Sequence, residues 1–230
     1  MYLSVYTLYR QEDEEFLEGW IQNALAIGDE CIIIDGSNTL SFNSKKIRVY
    51  THPQSHPRYS GEWQQSEQRN LALAQAKGRW ILQLDIDERV NNKAREVLAK
   101  NDYQYSNINV YAVATLNFWE SEGKVRVDSG FFPDWHYRFI RNNRGIQYST
   151  GSRHLSLNVK PDVRCETGIP HNKPYFLCDF ACCIGHLKYM KPRLFGDIYR
   201  LNRKEVKTLE QYYKDVVTLP IDAVKVIFKA

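Results

Sequence analysis

Trp80–Glu88 reads WILQLDIDE, an apolar run that ends in two aspartates at i and i+2 and then a glutamate. An extended chain alternates its side chains, so Asp85 and Asp87 point one way and Ile86 the other. The strand thus delivers two carboxylates together at its carboxyl end, where open α/β sheets bind their ligands. Two adjacent carboxylates repel. A hard divalent cation relieves that repulsion and keeps positions open for phosphate oxygens. The stretch reads as a metal–nucleotide site, although a strand end followed by a polar turn accounts equally for a lone D-x-D.

Working outward, Tyr2 to Leu8 is rich in β-branched and aromatic residues and predicts a first strand. Phe16, Leu17, Trp20, Ile21, Ala24 and Leu25 recur at helical spacing behind the acidic turn Glu12 to Glu15, and Gly28 can end that helix. Cys31 to Ile34 predicts a short buried strand stopping at Asp35-Gly36-Ser37. Ile47 to Tyr50 predicts a third strand, and 52–65 a long ligand-covering loop. A helix is expected from about Ser66 to Lys77, with Gly78 as its stop, before the fourth strand at Trp80 to Leu84. Strand, helix, strand, strand, helix, strand implies an α/β fold, a Rossmann-like and mainly parallel sheet flanked by helices. In such a sheet Asp35 and the Asp85/Asp87 pair share one edge although fifty residues separate them.

The second half predicts a mixed α+β region. It has a short helix at Ala94 to Leu98, strands at 109–116, 125–132 and 136–140, and an apolar strand at 181–185 ending at His186. A basic helix is expected from Pro192 onward, carrying Arg193, Arg200, Arg203, Lys204 and Lys207. It is read as a solvated face, with peripheral contact to an anionic membrane surface as the alternative. No linker divides the 230 residues, so one domain is expected, with a ligand-binding half over 1–100 and a second half over 101–230.

Apolar residues make up 43% and charged residues 25%, an ordinary globular balance, and the net charge of +4 does not point to nucleic acid. No apolar run reaches the ~20 residues of a membrane span. The start MYLSVYTLYRQEDEE turns acidic where an export signal needs apolar residues, so a cytoplasmic location is expected. Five cysteines, an odd number, argue against a disulfide framework. Cys165, Cys178, Cys182 and Cys183 near His171 and His186 lack the paired C-x-x-C arms of a zinc site, and FACCIG reads as buried thiols.

On these residues the chain resembles the family 2 glycosyltransferases, which have a GT-A fold. The resemblance covers roughly the first 90 residues and returns at HYRFIRNNRGIQYSTGSRH and IGHLKYM. The family's Asn-Glu pair after the first strand is here Gln11-Glu12. Its D-x-S-x-D is Asp35-Gly36-Ser37-Asn38-Thr39. Its Arg-Asn pair and Ala-x-Gly helix end are Arg69, Asn70, Ala76, Lys77 and Gly78, and D-x-D-E is matched by Asp85, Asp87 and Glu88.

The resemblance implies a hexosyltransferase-type enzyme. It would move a sugar from a UDP- or GDP-sugar to an acceptor (a glycan, lipid or protein), with inversion and with Mn²⁺ or Mg²⁺. Glu12, Asp35, Arg69 and Asp85 would serve the nucleotide-sugar, with Asp35 at the base or ribose. Asp87 would ligate the cation. Asp134, ahead of Arg138-Phe139, is the expected base, before Asp128 and Glu120; a loop aspartate capping the turn after Pro133 accounts for it equally. His186 and then His154 are expected near the metal, as ligands or as structural histidines. Arg69 suits either the diphosphate or Glu88. Two other classes remain. One is a sugar-phosphate nucleotidyltransferase, disfavoured by the glycine-free loop Tyr9-Arg10-Gln11-Glu12. The other is a non-catalytic glycan- or protein-binding module using Trp63, Trp119 and Trp135.

Overall fold

The computed structural model describes residues 2–53, 65–100, 109–119, 121–126, 134–142, 145–148, 157–158, 183–187 and 206–208. The chain forms two compact units, each drawing on several segments.

The first unit holds strands β1 (Leu3–Tyr9), β2 (Glu30–Asp35), β3 (Ile47–Thr51) and β4 (Trp80–Gln83), and helices α1 (Glu14–Leu25) and α2 (Gln65–Gln75). The strand order is β3-β2-β1-β4, all parallel, and β8 (Asp134–Arg141) pairs antiparallel with β4 through its residues 139–141. β2 and β4 are buried along their whole length, which is why each carries an apolar run. Alternation sorts the rest. Tyr6, Ile32, Ile34 and Ile81 pack with Ala72 of α2 on one face. Val5, one residue off that set, meets the turn after α1, where a Cβ on Gly28 would stand 2.7 Å from its Cγ2. The two crossovers, β1-α1-β2 and β3-α2-β4, run in opposite directions across the sheet, and the right-handed rule for such connections puts their helices on opposite faces.

The amino-terminal edge of this sheet is tied by one buried acid. Glu30 accepts hydrogen bonds from Ser4 Oγ (2.6 Å), the Lys77 amide (2.7 Å) and Arg48 Nη1 (2.8 Å). Burial opposes its charge, but these donors prevail and lower its pKa. At the other side of β4, Trp80 stacks on Phe139 with centroids 4.8 Å apart, and the Arg141 guanidinium lies over its ring.

The second unit contains β5 (Glu88–Val90), α3 (Asn92–Lys100), most of β6 (Val110–Trp119), β7 (Ser121–Arg126), β11 (Cys183–His186) and β12 (Val206–Thr208). β11 lies between β6, to which it is parallel, and β5, to which it is antiparallel. β7 pairs antiparallel with β6, and β12 with β7. A two-stranded pair, β9 (Gln147–Tyr148) with β10 (Leu157–Asn158), belongs to the first unit.

Several expectations need correction. Glu88, matched to the last residue of D-x-D-E with no strand expected there, opens β5, whose three residues carry no visible period. Of the strand expected at 125–132, residues 125 and 126 close β7, which begins earlier, at Ser121, and 127–132 lie outside the described residues. Lys207, expected on a helix, lies in β12, where Val206 and Thr208 flank it in an alternation suited to an edge strand. The rest of that basic segment, and the loop at 54–64, lie outside the described residues. Among the described residues, no helix is long and apolar enough to cross a membrane.

Candidate functional site

The strand order reverses at β1. The chain moves from β1 outward to β2 and β3, then returns through α2 to β4 on the other side of β1. Adjacent crossovers that leave in opposite directions open a crevice above the carboxyl ends, here between β1 and β4. The register sets Tyr9 beside Asp35 and Asp35 beside Thr51, while Gln83 pairs with Tyr6, so Asp85 emerges on the same edge. β2 and β4 are two strand spacings apart, about 10 Å.

Asp35 is fully buried and organises one side of that edge. Its Oδ1 accepts the amides of Ser37 (2.8 Å) and Asn38 (3.1 Å), and its Oδ2 those of Thr39 (2.7 Å) and Leu40 (2.8 Å). A carboxylate offers about four lone-pair sites, so its acceptor capacity goes to the loop. Asn38 takes the left-handed φ of 57°, which asparagine tolerates, and its Oδ1 accepts Thr51 Oγ1. Ser37 Oγ accepts the Gln11 amide at 2.6 Å, tying the loop to the end of β1. Asp35 therefore acts on this edge through the loop it holds.

Across the crevice Asp85 is gripped by two arginines. Arg69 Nη2 of α2 donates to Oδ1 at 2.9 Å, and Arg138 Nη2 of β8 donates to Oδ2 at 3.3 Å. Gln83 Nε2 donates to Oδ1 at 2.8 Å, and Gln83 Oε1 accepts from Arg138 Nη1. Both arginines are buried, whereas the Asp85 side chain is 35% exposed and faces the edge. Burial alone would lower the Arg69 pKa; Asp85 and then Tyr6 and Tyr148 outweigh it and raise the value. Beneath lies a tyrosine pair, Tyr6 and Tyr148, with hydroxyls 3.1 Å apart and Arg69 over the Tyr148 ring. Burial, followed by Tyr148, pushes the Tyr6 phenol well above its usual value, so it remains neutral.

The remaining expected residues separate. Glu12 sits on the 3-10 turn after β1, exposed and paired with Arg10 at 3.4 Å. Arg69, open between the diphosphate and Glu88, is placed against Asp85. Asp87 belongs to the second unit, is 5% exposed, and its carbonyl accepts the Leu187 amide at 2.8 Å. Burial draws the neighbouring Arg89 down to about 10, against the opposing pull of Asp87 and Glu88. The β5–β11 register sets His186 opposite Glu88. Asp134 opens β8. The side chains of His186 and Asp134, and all of His154, lie outside the described residues. Among the described residues no three His, Cys, Asp or Glu side chains gather closely enough to hold an ion. Cys31 is buried with its thiol pushed up to about 12, chiefly by burial, and is chemically quiet.

Sequence reasoning missed Gln83, Arg138 and Tyr148. For Gln83 the signal was present: a lone polar residue inside a wholly apolar strand must find a partner. Arg138 was noticed only as punctuation after Asp134, and its reach to Asp85 depends on β8 folding back against β4.

The sequence matches no family model. Among solved structures the chain is similar to S. aureus TarS, at 16% identity over 65% of this chain and 30% of that one, with a TM-score of 0.42. TarS residues 1-349 align at 16% identity over 60% of this chain and 47% of that one, TM-score 0.37. The same fragment in complex with UDP-GlcNAc aligns at 19% identity over 52% and 34%, TM-score 0.35. The chain spans less than half the length of each of these.

Proposed function

We propose that this protein is a nucleotide-sugar-dependent glycosyltransferase. The observation that carries the reading is the strand order β3-β2-β1-β4, whose reversal at β1 is where parallel α/β sheets open a ligand crevice. At that edge stand the loop that Asp35 orders and an Asp85 carboxylate held by Arg69 and Arg138. β2 and β4 lie two strand spacings apart, about 10 Å, so the loop and the carboxylate flank one stretch of the edge. Backbone groups of the 36–40 loop would meet the nucleoside, and Asp85 would accept hydrogen bonds from ligand hydroxyls.

Transfer would proceed by a single inverting displacement. The acceptor oxygen attacks the anomeric carbon, the bond from that carbon to the diphosphate breaks, and its electron pair leaves with the diphosphate. We assign the acceptor's proton to the Asp134 carboxylate. Mg²⁺ is commonly held by one or two carboxylates together with substrate phosphates, and Asp87 would supply such a carboxylate. A bound Mg²⁺ or Mn²⁺ would supply positive charge against the departing diphosphate. His186 and His154 stand as further ligands of that ion in this proposal. The acceptor, whether glycan, lipid or protein, is selected outside the crevice.

A thermal-shift panel of UDP, GDP and their sugars, with and without Mn²⁺, tests the reading. The expected result is stabilisation by a nucleoside diphosphate that grows with metal in the parent protein and loses its metal dependence in Asp87→Asn. Stabilisation by a nucleoside triphosphate with a sugar phosphate instead would assign nucleotidyl transfer. No response to any nucleotide would overturn the proposal.

A further inference from the structure

We propose that Arg138 and Gln83 are positioning residues for the donor site, acting through Asp85. This rests on the glycosyltransferase reading and adds to it a device in this chain that fixes the crevice carboxylate.

The geometry is that of a closed relay. Gln83 uses both ends of its amide: the oxygen accepts a hydrogen bond from Arg138 and the nitrogen donates one to Asp85. Arg138 bridges Gln83 and the far carboxylate oxygen, and Arg69 grips the near one. An amide fixed at both ends cannot flip without losing two hydrogen bonds, and a guanidinium fork cannot rotate without losing its own pair. The Asp85 carboxylate is thereby restricted to one orientation. Gln83 and Arg138 are 2% and 7% exposed, so neither reaches the ligand except through Asp85. β4 and β8 are hydrogen-bonded neighbours, with Leu82 paired to Phe139, so Gln83 and Arg138 are both held on paired strands. A surface carboxylate has several rotamers to lose on binding; here that ordering precedes the ligand.

The test is a double-mutant cycle on nucleoside diphosphate binding, measured by calorimetry with UDP and GDP. The proteins are the parent, Arg138→Lys, Gln83→Leu, Asp85→Asn and each pairing with Asp85→Asn. Arg138→Lys keeps the charge but has no fork to span Gln83 and Asp85. Arg138→Lys and Gln83→Leu should each weaken binding by between about 10-fold and 100-fold, the range of a misplaced binding group. In the Asp85→Asn background the same changes should cost less than about 2-fold, because the residue they act through no longer needs orienting. A purely structural role would give additive losses and matching falls in melting temperature, and that overturns the proposal. So does parent-like affinity in Arg138→Lys and Gln83→Leu. Absence of binding to the parent itself would instead defeat the underlying glycosyltransferase reading, and this inference with it.

Discussion

What a carboxylate does depends on the donors that reach it, and two acids here show this. Asp35 was legible in the sequence as a strand-end acid. That its oxygens would be occupied by four successive amides was not, because this depends on the backbone path after Gly36. Asp35→Ala should lower stability by on the order of 2–4 kcal/mol, since several donors lose a charged acceptor at once. A urea denaturation curve measures this. Glu30 passed unnoticed before Cys31, yet it joins β1, β3 and the end of α2. Its pKa is lowered in the folded state, so its contribution is complete above the ordinary glutamate value of 4.5 and lost as pH falls through the lowered one. Glu30→Gln should therefore be less stable at neutral pH, by on the order of 2 kcal/mol, and show a flatter acid limb in stability against pH. An unchanged acid limb would assign that limb to other carboxylates, Asp29 first among them.

At the scale of elements, the four parallel strands and both of their helices were readable because each burial pattern is local. β2 has an apolar run at Cys31–Ile34 and β4 one at Trp80–Leu82, and α1 repeats its apolar residues at helical spacing. β5 and β9 were not readable. Each is two or three residues long and exists because of a distant partner. β9 is held through Asn70 of α2, whose side chain donates to the Tyr148 carbonyl (3.1 Å) and accepts its amide (2.8 Å). The Arg69-Asn70 pair thus has two physical duties, one toward Asp85 and one toward Tyr148. Asn70→Ala should release β9 while leaving β1 to β4 intact. Hydrogen exchange should show the Tyr148 amide losing about 1–2 kcal/mol of protection. Undiminished protection there would show that other contacts hold the strand. Gly78 closes the turn after α2, where a Cβ would stand 2.5 Å from the Ser4 nitrogen and 2.7 Å from its Oγ. Gly78→Ala should cost about 1–3 kcal/mol, measured by denaturation, because the nearest obstacle is backbone.

For the whole molecule, the consequence lies in strand order, which no local pattern encodes. Sequence reading placed Asp35 and Asp85 at strand ends and inferred a shared edge from the parallel-sheet rule. The order β3-β2-β1-β4 adds that the sheet reverses at β1, which puts the crevice between Tyr9 and Asp85. The guanidinium grip on Asp85 arises at this scale too, since Arg69 and Arg138 are 69 residues apart in number and meet only when α2 and β8 both close on β4. The most direct measurement is the amide chemical-shift map of the isotopically labelled protein on adding UDP or GDP with Mg²⁺. Shifts concentrated at Tyr9 to Gln11, Gly36 to Leu40 and Leu84 to Ile86, with Asp29 and Gly78 at the opposite edge unmoved, are the predicted result. Shifts at the opposite edge alone, or none anywhere, would contradict a nucleotide crevice at the β1–β4 switch point.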